Sequence, residues 1–310
     1  MKILITGGAG YIGSILTPRL LALGHQVTVI DSFMYKQTSL LDCCHNPNLT
    51  IVRSDVRNVD LIKKHLSKAD VIIPLACLVG APVCSQKPAE ARSINLDAIK
   101  MLIDLSGKGQ MILSPTTNSG YGVGEEGIFC TEETPMRPVS LYGTLKVELE
   151  ECLLSSGRAV SLRLATVCGI SPRMRLDLLV NDFTYRAIMD RFVVLFEAHF
   201  KRNYIHVQDV ASAFIHTMAN FDTMKGQAYN IGLSDANISK MELCLEIQKQ
   251  VPDFCIMESE IGKDPDQRNY IVSNEKIEKT GFMPKVSIQQ SISELIKGYQ
   301  ILRRDDFTNL

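Results

Sequence analysis

Three features are scarce in this chain, and each scarcity narrows what the protein can be. Net charge is nearly absent: 33 Lys and Arg stand against 34 Asp and Glu, leaving −1 at pH 7. That removes the electrostatic case for a nucleic acid or an anionic membrane as partner. Long apolar runs are also missing. Stretches such as Val71-Ile72-Ile73-Pro74-Leu75-Ala76 are far too short to span a bilayer, and the first apolar run carries no cleavage-site pattern of a signal peptide. Finally, no Cys-x-x-Cys occurs. The nine cysteines are scattered and odd in number, the usage of a reduced, cytoplasmic protein. Cys43-Cys44-His45 lacks metal-ligand spacing and a second ligand cluster, so these cysteines read as small apolar filler and no metal is expected.

What is present suits a folded enzyme. The 310 residues are 45% hydrophobic and 22% charged, enough for one large α/β domain with or without a smaller lobe. Strand-like runs at Lys2–Thr6, Gln26–Ile30, Leu49–Val52, Val71–Leu75, Met111–Leu113 and Ala159–Leu164 alternate with helical spacing over Tyr11–Leu23, Val59–Ser67, Ala89–Asp104 and Leu141–Leu154. This alternation predicts an α/β fold of Rossmann type, a doubly wound parallel sheet with ligands at the carboxyl ends of its strands. Pro18 falls inside the first helix and predicts a kink.

From about Cys168 the alternation weakens. Pro172, Arg173-Met174-Arg175 and the stretch around Asp264-Pro265-Asp266 suggest a smaller lobe over about 168–203 and 233–287. The large domain then takes 1–167, with chain returning near Tyr204–Val207 and Tyr229–Gly232 and again at about 288–302. Residues Arg303 to Leu310 are polar and are expected to fray.

Between the first strand and first helix stand Gly7, Gly10 and Gly13, with Tyr11 and Ile12 among them. Small residues there permit a tight turn, let the backbone approach a pyrophosphate and let helix and strand pack closely. The helix N-terminus then offers free N–H groups to the phosphates. A loop without a ligand is the alternative. Asp31 ends the second strand; a carboxylate there accepts from both ribose hydroxyls and repels a 2′-phosphate, which favours NAD over NADP. A turn or cap aspartate is its alternative. Asp55 and Val56 follow the third strand and are placed to meet the adenine. Leu75, Ala76 and Cys77 end the fourth, alongside the dinucleotide.

Tyr142 and Lys146 lie four apart and share a helix face. A neighbouring ammonium and a positive nicotinamide would lower the tyrosine pKa from near 10, making Tyr142 a base toward a substrate hydroxyl. Lys146 can also hold the cofactor ribose. After Met111-Ile112-Leu113 comes Ser114-Pro115-Thr116-Thr117-Asn118-Ser119-Gly120-Tyr121-Gly122, whose hydroxyls can bond a reacting alcohol or ketone oxygen.

Taken together these residues resemble the extended short-chain dehydrogenase/reductase family of nucleotide-sugar epimerases, dehydratases and dehydrogenases. The likeness runs over almost the whole chain and includes Arg202-Asn203-Tyr204-Ile205-His206-Val207-Gln208-Asp209-Val210. It implies Thr117 as the catalytic hydroxyl, four residues before Tyr121. It implies Asn118, Ser119, Asn181, Arg202 and Arg268 as substrate contacts, with solvated surface charge as the alternative for the two arginines. The Arg173-Met174-Arg175 pair of cations suits an anionic substrate or a solvated turn.

The departures also carry information. The family's 4,6-dehydratases place acids after the Thr and its 3,5-epimerases a cysteine; here Asn118 and Ser119 stand there. The resemblance therefore implies oxidation at carbon 4, by a 4-dehydrogenase or a 4-epimerase. Pro74–Pro82, Asn118–Gly122 and Ser171–Tyr185 resemble the GDP-manno-heptose 4-dehydrogenases of bacterial capsule biosynthesis. A non-catalytic dinucleotide sensor is the rival from another class, and the intact Tyr142/Lys146 pair argues against it. The family also implies a homodimer. Ile94, Ala98, Met101, Leu145 and Leu149 are candidates for its interface or for intrachain core.

Overall fold

The computed structural model describes residues 1–259 and 268–302. The expectations for Asp264-Pro265-Asp266 and for Arg303–Leu310 lie outside the described residues. The chain opens with β1 (Lys2–Thr6), α1 (Gly13–Ala22), β2 (Gln26–Asp31), β3 (Leu49–Arg53), α2 (Val59–Leu66) and β4 (Val71–Pro74). Helices α3 (Ala81–Gln86) and α4 (Pro88–Arg92) follow, then a π turn over Ser93–Asp97 and α5 (Ala98–Leu105). Next come β5 (Met111–Thr117), the short β6 (Phe129–Cys130), α6 (Leu141–Ser155) and β7 (Ala159–Leu164). The second half holds β8 (Thr166–Cys168), α7 (Leu179–Met189), β9 (Phe192–Phe196), β10 (Lys201–His206), α8 (Val207–Ala219), α9 (Phe221–Met224) and β11 (Ala228–Ile231).

Seven strands form one sheet in the order β11-β7-β5-β4-β1-β2-β3, every pair parallel. The order reverses between β1 and β4, and a crevice opens at their carboxyl ends. Alternation along a strand splits the core. Ile3 and Ile5 of β1 join one apolar cluster with Leu16 and Leu20 of α1 and Phe214 of α8. Leu4 joins the other, with Ile62 of α2, Leu102 of α5 and Leu149 of α6. Both faces of the sheet are thus covered, which is why β4 and β7 are buried along their whole length.

The structure makes three expectations more specific. The single helix over Ala89–Asp104 contains the π turn, where the buried Asn95 turns toward the chain after β4. Of the returning segments among the described residues, Ala228–Ile231 joins the large sheet. The strand carrying Tyr204 lies in a separate small sheet with β8 and Asn237–Ser239, and α8 beyond it packs near α1. Ala98, Leu145 and Leu149 are intrachain core, 4%, 1% and 0% exposed, so they are not available to a partner subunit. Helix α1 continues through Pro18, held by its buried Ile15, Leu16, Leu20 and Leu21. Among the described residues no helix is long and apolar enough to cross a membrane.

Candidate active site

A cavity of about 410 Å³ lies at the reversal of strand order, within the range of small-molecule sites. Gly7, Gly10, Tyr11, Ile12 and Gly13 line one side of it. Gly7 adopts φ +73°, and a Cβ there would lie 2.5 Å from the Ala76 nitrogen on the facing loop. A Cβ on Gly13 would lie 2.5 Å from the Gly8 carbonyl oxygen. Both positions therefore require glycine, and α1 begins without a capping side chain at Ile12. A bare backbone at a helix N-terminus beside a cavity fits a dinucleotide pyrophosphate. The tyrosine among the glycines reaches away from it: Tyr11 Oη donates to the Gly169 carbonyl at 2.7 Å.

Asp31 sits at the end of β2, 8% exposed. Its Oδ2 accepts from the Ala9 N–H at 3.0 Å; its Oδ1 accepts from the Phe33 N–H at 2.8 Å and from Gln37 Nε2 at 3.2 Å. Burial pushes its pKa up, while these donors and Arg173 pull it down. A carboxylate has about four acceptor sites, so one remains for a ribose hydroxyl. Asp55 also lines the cavity. It is paired with Arg57 Nε at 2.9 Å, and that hydrogen bond holds its pKa below the usual carboxylate range. Val56 lines the wall beside it.

Leu75, Ala76 and Cys77 also line the cavity, at the end of β4, with Ala76 against Gly7. Their loop is held by Asn95, a residue that no local pattern singles out. Its Oδ1 accepts from the Leu78 N–H at 2.7 Å and its Nδ2 donates to the Leu78 carbonyl at 2.8 Å.

A further wall of the cavity is built by β5 and α6. Thr117 closes β5, and Ser119 lies in the 3₁₀ turn Asn118–Tyr121. Their side-chain oxygens are 2.9 Å apart. Ser140 caps α6, accepting from the Gly143 N–H at 3.1 Å, and so sets Tyr142 in the first turn of the helix. One turn further, the buried Lys146 ammonium donates to the Pro115 carbonyl at 3.2 Å. Tyr142, Lys146, Thr117 and Ser119 all face the same cavity. The expected lowering of the Tyr142 pKa is not found in the protein alone. Burial drives it well above 10, Cys77 adds to the rise, and Arg175 and Arg268 oppose it. The phenol is enclosed by the cavity wall, so desolvation outweighs the two arginines.

The expected substrate contacts divide. Ser119 and Arg268 line the cavity. Asn118, Asn181 and Arg202 do not; all three are buried behind its wall. The Asn181 amide accepts from the Gly169 N–H at 3.0 Å and donates to the Arg175 carbonyl at 2.9 Å, which orders the loop carrying the two arginines. That loop supplies Arg173 and Arg175, the two cations whose alternatives were an anionic substrate and a solvated turn. Arg173 stacks over the Tyr35 ring, 4.6 Å from its centroid, and Arg175 is paired with Asp177. Tyr35, Arg173, Arg175 and Tyr270 all line the cavity. For Arg173 and Arg175 the basic run was the signal; for Tyr35 and Tyr270 there was none. Among the described residues no group of three or more His, Cys, Asp or Glu is placed to hold a metal.

A parallel sheet with a glycine-lined cleft at its strand reversal, and a Tyr/Lys pair facing a hydroxyl loop, defines a dinucleotide-dependent oxidoreductase-type enzyme. The family model for the NAD dependent epimerase/dehydratase family matches residues 3–232, and the chain belongs to that family. It is an enzyme, and its cofactor is NAD. Its sequence is 27% identical over 274 residues to a UDP-glucose 4-epimerase of Corynebacterium glutamicum, covering 80% of each chain. It is 23% identical over 322 residues to UDP-glucuronic acid decarboxylase 1 of Arabidopsis thaliana, covering 99% of this chain and 72% of that one. Its fold matches the UDP-glucuronic acid 4-epimerase of Bacillus cereus, solved with UDP-glucuronic acid and NAD. The TM-score is 0.86 at 22% identity, with 97% and 99% of the chains covered.

Proposed function

We propose that the enzyme oxidises the 4-hydroxyl of a nucleotide-diphosphate sugar, with Tyr142 as the base, Thr117 as the hydroxyl that holds the reacting oxygen, and Lys146 on the cofactor ribose. NAD, when bound, supplies the hydride acceptor. Tyr142 takes the hydroxyl proton as carbon 4 is oxidised, and Thr117 and Ser119 orient the oxygen. Arg268 and the arginines of the Arg173-Met174-Arg175 loop are proposed to hold the diphosphate, in place of Arg202 and Asn181. The dinucleotide is assigned to the large sheet and the nucleotide sugar to the lobe over about 168–203 and 233–287.

One observation carries this reading. The hydroxyl loop facing Tyr142 holds Thr117 and Ser119, with no carboxylic acid or thiol between them for elimination or for epimerisation at carbon 5. The resemblance to the GDP-manno-heptose 4-dehydrogenases makes that sugar the first substrate to try. A second reading, a 4-epimerase, uses the same residues for its first step. The relatives named UDP-glucose 4-epimerase favour it equally.

The test is to incubate the enzyme with NAD and a panel headed by GDP-manno-heptose and UDP-glucose. Reduced-nicotinamide absorbance and sugar products are followed together. Net reduced cofactor with a 4-keto product supports the dehydrogenase. A 4-epimer without net cofactor change overturns it in favour of the epimerase. A homodimer is proposed on the family likeness, and sedimentation of the purified chain tests it.

A further inference from the structure

Behind the cavity wall lies a buried polar cluster that the proposed chemistry does not use. Tyr142, Lys146 and Glu150 succeed one another at four-residue spacing on one face of α6. Glu150 is 5% exposed, and Arg163 on β7 is 6% exposed. Arg163 grips Glu150 through Nε at 3.0 Å and through a second nitrogen at 2.6 Å. The Glu150 carboxylate also accepts from Thr116 Oγ1 at 3.0 Å and Ser161 Oγ at 2.6 Å. The remaining arm of Arg163 donates to the Tyr121 phenol oxygen at 2.9 Å and to the Glu132 carbonyl at 3.0 Å. Tyr121 donates in turn to Asn230 Oδ1 at 2.7 Å.

The placement of these ties is specific. Thr116 immediately precedes Thr117, and Tyr121 ends the turn that carries Ser119. One ion pair therefore grips the hydroxyl loop at its front through Glu150 and at its back through Arg163. The same pair is anchored on α6 one turn beyond Lys146. A buried ion pair adds little net stability over an apolar pair of similar volume, so its directional hydrogen bonds are the larger contribution. We infer that Glu150 and Arg163 are positioning residues that fix the Thr117 and Ser119 oxygens against Tyr142 by clamping both ends of the loop between them. The inference rests on the reading of Tyr142 and Thr117 as the acid–base machinery. A misplacement of about 1 Å at such a centre lowers turnover on the order of 100-fold.

Thr116→Val and Tyr121→Phe test the clamp: the first removes the bonds of Thr116 to Glu150 and Ser161, the second those of Tyr121 with Arg163 and Asn230, and both leave Glu150 and Arg163 paired with each other. Turnover is followed with whichever sugar of the panel reacts, with Thr116→Ser as the conservative rescue and Tyr142→Phe as the control. Amide hydrogen exchange of Ser119 through Tyr121 is measured on the NAD-loaded protein. Expected is a kcat loss of roughly 10-fold or more in Thr116→Val and Tyr121→Phe, with KM and the NAD Kd within about 2-fold of the parent and rescue in Thr116→Ser. Exchange of the loop amides should quicken while that of the sheet stays unchanged. Parental kcat and exchange in both variants, with Tyr142→Phe inactive, overturn the clamp. If Tyr142→Phe keeps its activity, the acid–base reading is what fails. Exchange then decides the clamp, and unchanged loop protection overturns it.

Discussion

The Ala9 N–H donates to the Asp31 carboxylate at 3.0 Å, tying the end of β2 to the glycine loop after β1. Asp31 therefore shapes the glycine loop, in addition to its proposed role at the ribose. Asp31→Asn should weaken NAD binding by roughly 10- to 100-fold, the worth of one or two charge-assisted hydrogen bonds. It should also narrow the preference for NAD over NADP. Titration calorimetry with both cofactors checks this; unchanged NAD affinity would sink the assignment.

The raised pKa of Asp31 has two consequences of opposite sense. Between its ordinary and its raised value the folded state holds more protons than the unfolded one, so the contribution to stability falls as pH rises. NAD binding needs the ionised form, so affinity falls as pH drops through the same window. Melting curves and NAD titrations across the acid range, for the parent and Asp31→Asn, should show both trends only in the parent.

Tyr142 should remain a neutral phenol at pH 7 in the protein without cofactor, because burial holds its pKa up. The base form is lost as pH falls, so turnover with NAD bound should rise with pH. The midpoint should lie below the tyrosine titration seen by ultraviolet difference spectra of the free protein. Tyr142→Phe should abolish oxidation and change the NAD Kd by no more than roughly 10-fold, since about one neutral hydrogen bond is removed. A pH profile unaltered by that change would contradict the role.

Gly13→Ala places a methyl group against the Gly8 carbonyl, where a Cβ would lie 2.5 Å away. Relief requires the glycine loop to move, at about 1–3 kcal/mol of stability. NAD binding should fall with it. Gly157→Ala is the comparison: nothing crowds that position, although its φ of +68° carries some backbone strain. Equal NAD affinity in the two variants would contradict the close-packed loop.

Cys77 lines the cavity and is partly exposed, whereas Cys84 beside it is buried, with its pKa pushed up to about 11 by burial. Saturating NAD should therefore protect Cys77 from N-ethylmaleimide and leave the labelling of the exposed Cys44 and Cys255 unchanged. Peptide mass mapping reads all three. Labelling of Cys77 at the same rate with and without NAD would place the dinucleotide elsewhere.

The glycine loop and the acid at the end of β2 could be read from local pattern. Gly7, Gly10, Gly13 and Asp31 sit within 31 residues of the start, on consecutive elements whose connections are short. The apolar period alone fixes which of these residues reach the strand ends. Whether Asn181 and Arg202 meet the cavity could not be read in this way. Each lies on an element of the second half, and whether its side chain meets the cavity or the interior depends on packing between distant segments. Asn181 is buried because Gly169 and Arg175 take its amide.

The sequence by itself determined the alternation of strand and helix, the glycine cradle, the acid at the end of β2 and the shared helix face of Tyr142 and Lys146. Those follow from spacing along one or two elements. Only the tertiary structure decided that β10 leaves the large sheet, that Arg173 and Arg175 reach the cavity, and that Glu150 and Arg163 brace the hydroxyl loop. Each depends on contacts between residues far apart in the chain, and no local period encodes which distant partner a buried polar group will meet.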